Sequence, residues 1–188
     1  MKIPVLDNGG QWTHREYRVL RDLEVESRIL PNTTPLEELD ADGVVLSGGA
    51  LSLEGSDAPL GRLDEWVDRA PFPILGICVG HQFLGRHFGG SVGQGPSAEF
   101  GRVTVTVDET ASPVFQGLPS EFTAWSNHND QVVRVPPGWH RLAHSETCPV
   151  QAMSHPEKPI VGVQFHPEVE HTEHGREIFR NFIAMCRR

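Results

Sequence analysis

The chain has 188 residues, with 16 Lys plus Arg against 25 Asp plus Glu and a formal net charge of −9. That length suits a single domain over residues 1–188 with a sizeable core, and the acidic balance excludes a function resting on a basic face against nucleic acid or membrane. Three widely spaced cysteines, Cys78, Cys148 and Cys186, form neither a disulfide framework nor a C-x-x-C zinc site and point to a reducing compartment.

The start, Met1-Lys2-Ile3-Pro4-Val5-Leu6-Asp7, reaches an acidic residue after a few apolar ones. It lacks a signal-peptide core, and no apolar run is long enough for a bilayer, so a soluble, cytoplasmic protein is expected. Residues 3–6 read as a buried strand ending in the glycine turn Asp7-Asn8-Gly9-Gly10. A helix over 11–22 follows, with Tyr17, Leu20 and Leu23 on one side. Residues 25–30 form a second strand closed by Pro31-Asn32, 36–39 a short helix, and 43–47 a third strand running into Gly48-Gly49. Helical spacing over 60–67 is punctuated by Pro71-Phe72-Pro73 before a fourth strand, 74–77.

This alternation predicts an α/β fold with a mainly parallel sheet and helices on both faces. Ligands in such sheets gather at the carboxyl ends of the strands, so the strand ends at Asp7, Ser47 and Cys78 should lie close together. After Gly89-Gly90 the texture changes: 102–108, 121–125, 140–145, 150–153 and 160–165 read as antiparallel or mixed strands, some extending the first sheet and some forming a small additional antiparallel one. No linker or repeat splits off another domain. A last helix over 173–186 carries Ile178, Phe179, Phe182, Ile183 and Cys186 on one side, and Arg187-Arg188 at its end suits the helix dipole.

The fourth strand meets Cys78 between Gly76 and Gly80, and Val79, Phe83, Leu84 and Phe88 follow at helical spacing. G-x-C-x-G is the cysteine counterpart of the nucleophile elbow, in which flanking glycines let backbone approach closely and the nucleophile sits at a helix N-terminus that favours negative charge. Taken alone, the stretch is also compatible with a buried core cysteine. A base elsewhere in the chain decides between them. The strand over 160–165 delivers His166-Pro167-Glu168 at its carboxyl end. If that strand belongs to the main sheet, His166 reaches the edge where Cys78 stands, and Glu168 can hold the other imidazole nitrogen, as a Cys, His, Glu triad requires.

Gly76-Ile77-Cys78-Val79-Gly80-His81-Gln82 together with Gln164-Phe165-His166-Pro167-Glu168 resembles the class I, or triad, glutamine amidotransferases over almost the whole chain. The resemblance implies their flavodoxin-like fold and their chemistry: a cysteine attacks the carboxamide of glutamine, forms a glutamyl thioester and releases ammonia to a second active site. It implies Cys78 as nucleophile, His166 as general base and then acid, Glu168 as its orienter, backbone N–H groups of Gly49 and Val79 as the oxyanion hole, and Gln82 as a substrate-holding residue.

Within the family, Asp7-Asn8-Gly9-Gly10-Gln11-Trp12-Thr13-His14-Arg15, Trp125-Ser126-Asn127-His128-Asn129-Asp130 and His166-Pro167-Glu168-Val169-Glu170-His171-Thr172 are most similar to glutaminase subunits of two-subunit GMP synthases, known mainly from archaea. The family's Ser-His-x-Asp loop stands here as Asn127-His128-Asn129-Asp130, implying that Asn127, Asn129 and Asp130 hold the α-amino and carboxylate groups of glutamine, with Asp130 also signalling to the partner. Two departures are Ala50 where many relatives carry proline and Asn127 for the commoner serine. A freer Gly48-Gly49 turn could leave the oxyanion donors misaligned until a partner docks.

The chain carries neither a G-x-x-x-x-G-K-[ST] loop nor an S-G-G-x-D-S sequence. ATP and magnesium are therefore expected on a separate synthetase subunit of the ATP-pyrophosphatase type that converts XMP to GMP, with no cofactor and no metal in this chain. Alternatives are an amidotransferase subunit of another pathway, such as anthranilate synthase, a free γ-glutamyl hydrolase, and a metal-binding module of Glu168, Glu170, His171 and His174, the two histidines sharing a helical face. His81, His87 and His155 receive no catalytic role, and Cys148 and Cys186 read as core or helix residues.

Overall fold

The structure, a computed structural model, describes residues 1–55 and 59–187. Arg188, expected to complement the last helix dipole, lies outside the described residues. Among the described residues nine strands form one sheet: β1 (Val5–Asp7), β2 (Ile29–Pro31), β3 (Val44–Leu46), β4 (Ile74–Ile77), β5 (Ser91–Val107), β6 (Glu121–Arg134), β7 (His140–His144), β8 (Ala152–Ser154) and β9 (Ile160–Val163). Their order is β2-β1-β3-β4-β9-β8-β7-β5-β6. The first five in that order are parallel, and the remainder join by antiparallel pairings.

The parallel strands are apolar on both sides because both sides are covered. Val5, Val45, Leu75, Ile77, Val161 and Val163 point into one core with Leu20 of α1 (Thr13–Asp22) and Ile178, Phe179, Phe182 and Ile183 of α4 (Gly175–Met185). Their strand neighbours Leu6, Val44, Leu46, Ile74 and Ile160 point into a second core with Leu63 and Trp66 of α2 (Leu63–Trp66) and Val79, Phe83 and Leu84 of α3 (Val79–His87). Side chains alternate across a strand with period two, so near-continuous apolar runs fill both cores at once.

The elements read from sequence occur in the expected order, with trimmed ends. The strand read over 25–30 is reduced to Ile29–Pro31 plus an isolated bridge between Lys2 and Glu26, and the helix over 60–67 is one α-turn followed by a 3-10 turn, Val67–Arg69. The larger difference is β5 and β6. The segments read over 102–108 and 121–125 are only the proximal parts of a long ribbon that pairs from Ser91 with Arg134 to Thr106 with Glu121, shifting register between Gln94 and Glu99. It meets β7 only through Thr106 and Val107. The small antiparallel sheet is thus a two-stranded arm continuous with the main sheet. Among the described residues no helix is long and apolar enough to cross a membrane.

Candidate active site

β4 ends at Ile77, and the chain reverses through Cys78 at φ 50° and ψ −104°, the left-handed side of the map, before α3 begins. A non-glycine residue there costs on the order of 1–3 kcal/mol and persists only when its surroundings enforce it. They do: the Cys78 N–H donates to the Val163 carbonyl at 2.9 Å, and the Cys78 carbonyl accepts from the Gln82 N–H at 2.9 Å. A Cβ on Gly80 would collide with the Leu46 carbonyl oxygen, and one on Gly76 would stand 2.7 Å from the Gly80 carbonyl. The two glycines let α3 descend onto the sheet and leave the thiol at its carboxyl edge.

β9 lies beside β4, with Val163 opposite Ile77, so the chain leaving β9 passes the elbow. Its turn is locked from β6 and the approach to α4. The His166 N–H donates to the Trp125 carbonyl at 2.9 Å, and Thr172 Oγ1 donates to the His166 carbonyl at 2.7 Å while accepting the Trp125 N–H at 2.9 Å. His166 Nδ1 lies 2.7 Å from Glu168 Oε1, whose side chain is fully buried. This pairing places a proton on Nδ1, and the ring stands beside Cys78: a Cβ on Gly48 would lie 3.2 Å from His166 Cε1 and 3.7 Å from Cys78 Cβ. Burial opposes a charged imidazole, but the Glu168 carboxylate and the Cys78 sulfur outweigh it and hold His166 well above the usual histidine range. The Trp12 indole packs edge-on against the imidazole, centroids 4.4 Å apart.

Cys78, His166, Gly48, Gly49, Asn127 and Glu16 border a recess of about 30 Å³. It lies beside an open cavity of about 740 Å³ that Gly49, Val79, Gln82, Asn127, Asn129 and Asp130 line. The structure therefore gathers the sequence-derived site residues around two adjoining spaces, with Glu168 buried behind His166 and lining neither, but four of them stand differently from expectation. Asn127-His128-Asn129-Asp130 is no loop: it continues β6, paired with β5 through Phe100, Glu99 and Gln94. Gln82 Nε2 is spent on the Asp130 carbonyl at 2.6 Å and on Gln164 Oε1 at 3.3 Å, bracing α3 against β6. The Asp130 carboxylate accepts a hydrogen bond from Ser52 Oγ. A second cavity, about 660 Å³, borders Pro73 and Pro159 at the opposite strand ends, away from the thiol.

Sequence reasoning passed over Gln164, whose Nε2 lies 3.6 Å from Cys78 Sγ; a polar residue closing the apolar run of β9 was its signal. It also passed over Trp12, Glu16 and Glu99. Glu99 Oε2 accepts from His128 Nε2 at 2.9 Å and Gln151 Nε2 at 2.7 Å, and Oε1 from Ser145 Oγ at 2.5 Å and Thr147 Oγ1 at 2.6 Å. Burial alone would raise its pKa, yet these donors bring it down to about 2. Glu99, His128 and Cys148 present ligand-type atoms within 4.8 Å of one another. The hydrogen bonds already on the carboxylate, and burial that pushes the Cys148 thiol up, make this a brace beneath β6.

The metal reading of Glu168, Glu170, His171 and His174 is corrected. Glu168 is committed to His166, His171 packs on Trp125 and His174 on Phe122, and both histidines precede α4 instead of sharing its face. His81 is a core residue whose Nε2 lies 3.1 Å from the Val150 carbonyl and which burial pushes down to about 3.

The family description Glutamine amidotransferase class-I matches residues 4–186. The glutamine-hydrolyzing GMP synthase subunit of Thermoplasma acidophilum is 51% identical over 187 residues, covering 99% of this chain and 93% of the relative. Its counterpart from Thermococcus kodakarensis is 50% identical over 98% of each chain. The crystal structure of a Thermoplasma acidophilum protein described as a GMP synthase subunit superposes with a TM-score of 0.93 at 51% identity, over 100% of this chain and 94% of that one. A glutamine amidotransferase from Thermotoga maritima shares the fold, with a TM-score of 0.74 at 23% identity over 98% of this chain and 81% of that one.

Proposed function

Since the chain belongs to the class I glutamine amidotransferases, we propose that it is the glutaminase subunit of a GMP synthase, passing ammonia from glutamine to a separate ATP-dependent synthetase subunit that converts XMP to GMP. The observation that carries the chemistry is the convergence of Cys78, held at a left-handed turn, on the buried His166 and Glu168 pair. The pathway rests on the shared name of the full-length relatives.

His166 starts as the imidazolium, because Glu168 holds its proton. The Cys78 sulfur attacks the carboxamide carbon of glutamine, and the negative charge that moves to oxygen is met by the N–H groups of Gly49 and Val79, each such donor being worth on the order of 100-fold in rate. His166 gives its Nε2 proton to the leaving nitrogen as the C–N bond breaks, and ammonia departs from the thioester. The neutral imidazole then takes a proton from water, which attacks the thioester carbon. Collapse expels the Cys78 sulfur beside the regained imidazolium and releases glutamate. The proton carried by the imidazolium is the one expected to come from the Cys78 thiol, so His166 serves as base toward the thiol, as acid toward the leaving nitrogen and as base again toward water. Asn127, Asn129 and Asp130 flank the cavity that would hold the amino-acid end of the substrate, with Gln82 bracing that wall from α3.

The test combines the chain with an ATP-pyrophosphatase synthetase subunit, XMP, ATP, magnesium and glutamine. GMP is expected to form, and Cys78→Ala to abolish the glutamine-driven reaction while ammonium salts still support it. Amination of chorismate with a different partner, and no GMP, would move the chain to an anthranilate-type pathway.

A further inference from the structure

Glu16 belongs to none of the steps above, yet it is 1% exposed and borders the same recess as Cys78 and His166. It lies on the inward face of α1 with Thr13 and Leu20. Its Oε1 accepts the Gly48 N–H at 3.3 Å, and its Oε2 is buried without a hydrogen-bond partner. The Gly48 carbonyl, which belongs to the same peptide as the Gly49 N–H, accepts from Ser47 Oγ at 2.8 Å. Gly48 is therefore held from both sides, by α1 at its N–H and by β3's end at its carbonyl. Asn8 Nδ2 donates to the Ser47 carbonyl, of the same peptide as the Gly48 N–H, at 2.8 Å, and the turn runs close to the triad: a Cβ on Gly48 would lie 3.2 Å from His166 Cε1.

We propose that Glu16 is a positioning residue of the glutaminase centre, a hydrogen-bond acceptor on α1 that holds the Gly48 amide and so sets the turn presenting Gly49 beside Cys78. The inference rests on the glutaminase reading. Burial comes first in raising the pKa of Glu16 well above the carboxylate range, and the charge of Glu168 adds to it against the opposing Gly48 N–H and His166, which favours the uncharged form. A second ionised carboxylate facing Glu168, His166 and Cys78 would also oppose negative charge building up on the sulfur.

The experiment compares wild type, Glu16→Gln and Glu16→Met, each with the synthetase subunit, by glutamine-dependent kcat and KM. Thermal unfolding and the alkylation of Cys78 are followed on the same samples. Gln keeps a neutral acceptor and should hold kcat within about threefold; Met fills the volume without accepting and should lower kcat about 10- to 100-fold with KM within about twofold. Infrared difference spectra of wild type minus Glu16→Gln should show the C=O stretch of a protonated carboxyl. A Met variant with wild-type kcat, a Gln variant as impaired as Met, or a carboxylate band in the difference spectrum would overturn the proposal. If Glu16→Met does not fold, the Gln kinetics and the infrared band decide. Cys78→Ala separates the two readings: full glutamine hydrolysis by that variant removes the glutaminase itself, whereas its inactivity beside an unimpaired Glu16→Met removes only the role given to Glu16.

Discussion

β4 and β9 are four residues each and buried at every position, whereas β5 and β6 run for 17 and 14 residues and expose much of their length. The two regions meet at the small recess, where Asn127 of the ribbon joins Cys78 and His166. The short strands deliver Cys78 and His166 through turns whose amides and carbonyls are tied into neighbouring strands. The ribbon delivers Asn127, Asn129 and Asp130 on an arm joined to β7 at two positions, and its inner end is steadied by Glu99 and its four donors. Bond-breaking groups thus sit where the fold can enforce a strained backbone, and recognition groups sit on a long ribbon held mainly by its own pairing and by side-chain braces. Substitutions in the first region should change kcat, and those in the second should change KM.

The largest effect belongs to Cys78→Ala, expected to remove glutamine-dependent turnover by on the order of 10⁴-fold or more while ammonia-dependent synthesis by the complex persists. Glu168→Gln comes next. It keeps the hydrogen bond to Nδ1 but not the charge, and a loss on the order of 10³- to 10⁴-fold in kcat is expected, read as initial rates at saturating glutamine. The imidazole titration, followed by NMR, should fall in this variant, because burial then outweighs what remains to raise it. The same pairing sets a stability trend. A histidine whose folded-state pKa lies above its ordinary 6.5 stabilises fully below about pH 6.5, and the contribution fades as pH rises through the folded value. Unfolding midpoints of wild type minus Glu168→Gln should narrow toward alkaline pH. A Glu168→Gln variant that raised KM and spared kcat would break the division between the regions.

Glu99→Gln probes the ribbon. The amide would present donors to side chains that already donate, so a cost of about 2–4 kcal/mol is expected in denaturant unfolding at neutral pH. Glu99 is depressed from 4.5 to about 2. Its contribution is therefore complete above about pH 4.5 and lost as pH falls toward about 2, on the order of 3 kcal/mol over that window. The gap between wild type and variant should shrink correspondingly in acid. At pH 7 the surviving folded enzyme should show a raised KM and a kcat within a few-fold, since Glu99 steadies β6 through His128 and does not touch the triad.

What could be read in the sequence follows the same divide. β4, Cys78 and α3 were legible because a β-period run passes into a helical one across two glycines, and β9 with His166 because its apolar run ends in His-Pro-Glu. The distal half of β5 was not, since Gly93, Gly95, Pro96 and Gly101 read as turn residues and the strand exists by pairing with β6. Glu16 and Glu99 were passed over because their burial comes from distant chain, Gly48 in one case and the segment from Ser145 to Gln151 in the other. A signal for Glu16 was nonetheless present: Thr13, Glu16 and Leu20 are three and four residues apart, which puts the carboxylate on the apolar side of α1.

The smallest expected effect is the sharpest test of the ribbon's role. Asn127 stands where serine is the commoner residue, its side chain is exposed, and it pairs across the ribbon with Phe100 while bordering both the recess and the open cavity. If the ribbon grips glutamine through backbone groups, as a strand edge can, the side chain at this position contributes little and Asn127→Ser should change KM by no more than about threefold, leaving kcat alone. The same substitution replaces an amide by a shorter hydroxyl at the rim of the recess that holds Cys78 and His166. A fall of about tenfold in kcat with KM unchanged would therefore mean that the ribbon enters the bond-breaking step, and the separation between an enforced chemical edge and a recognition ribbon would be lost.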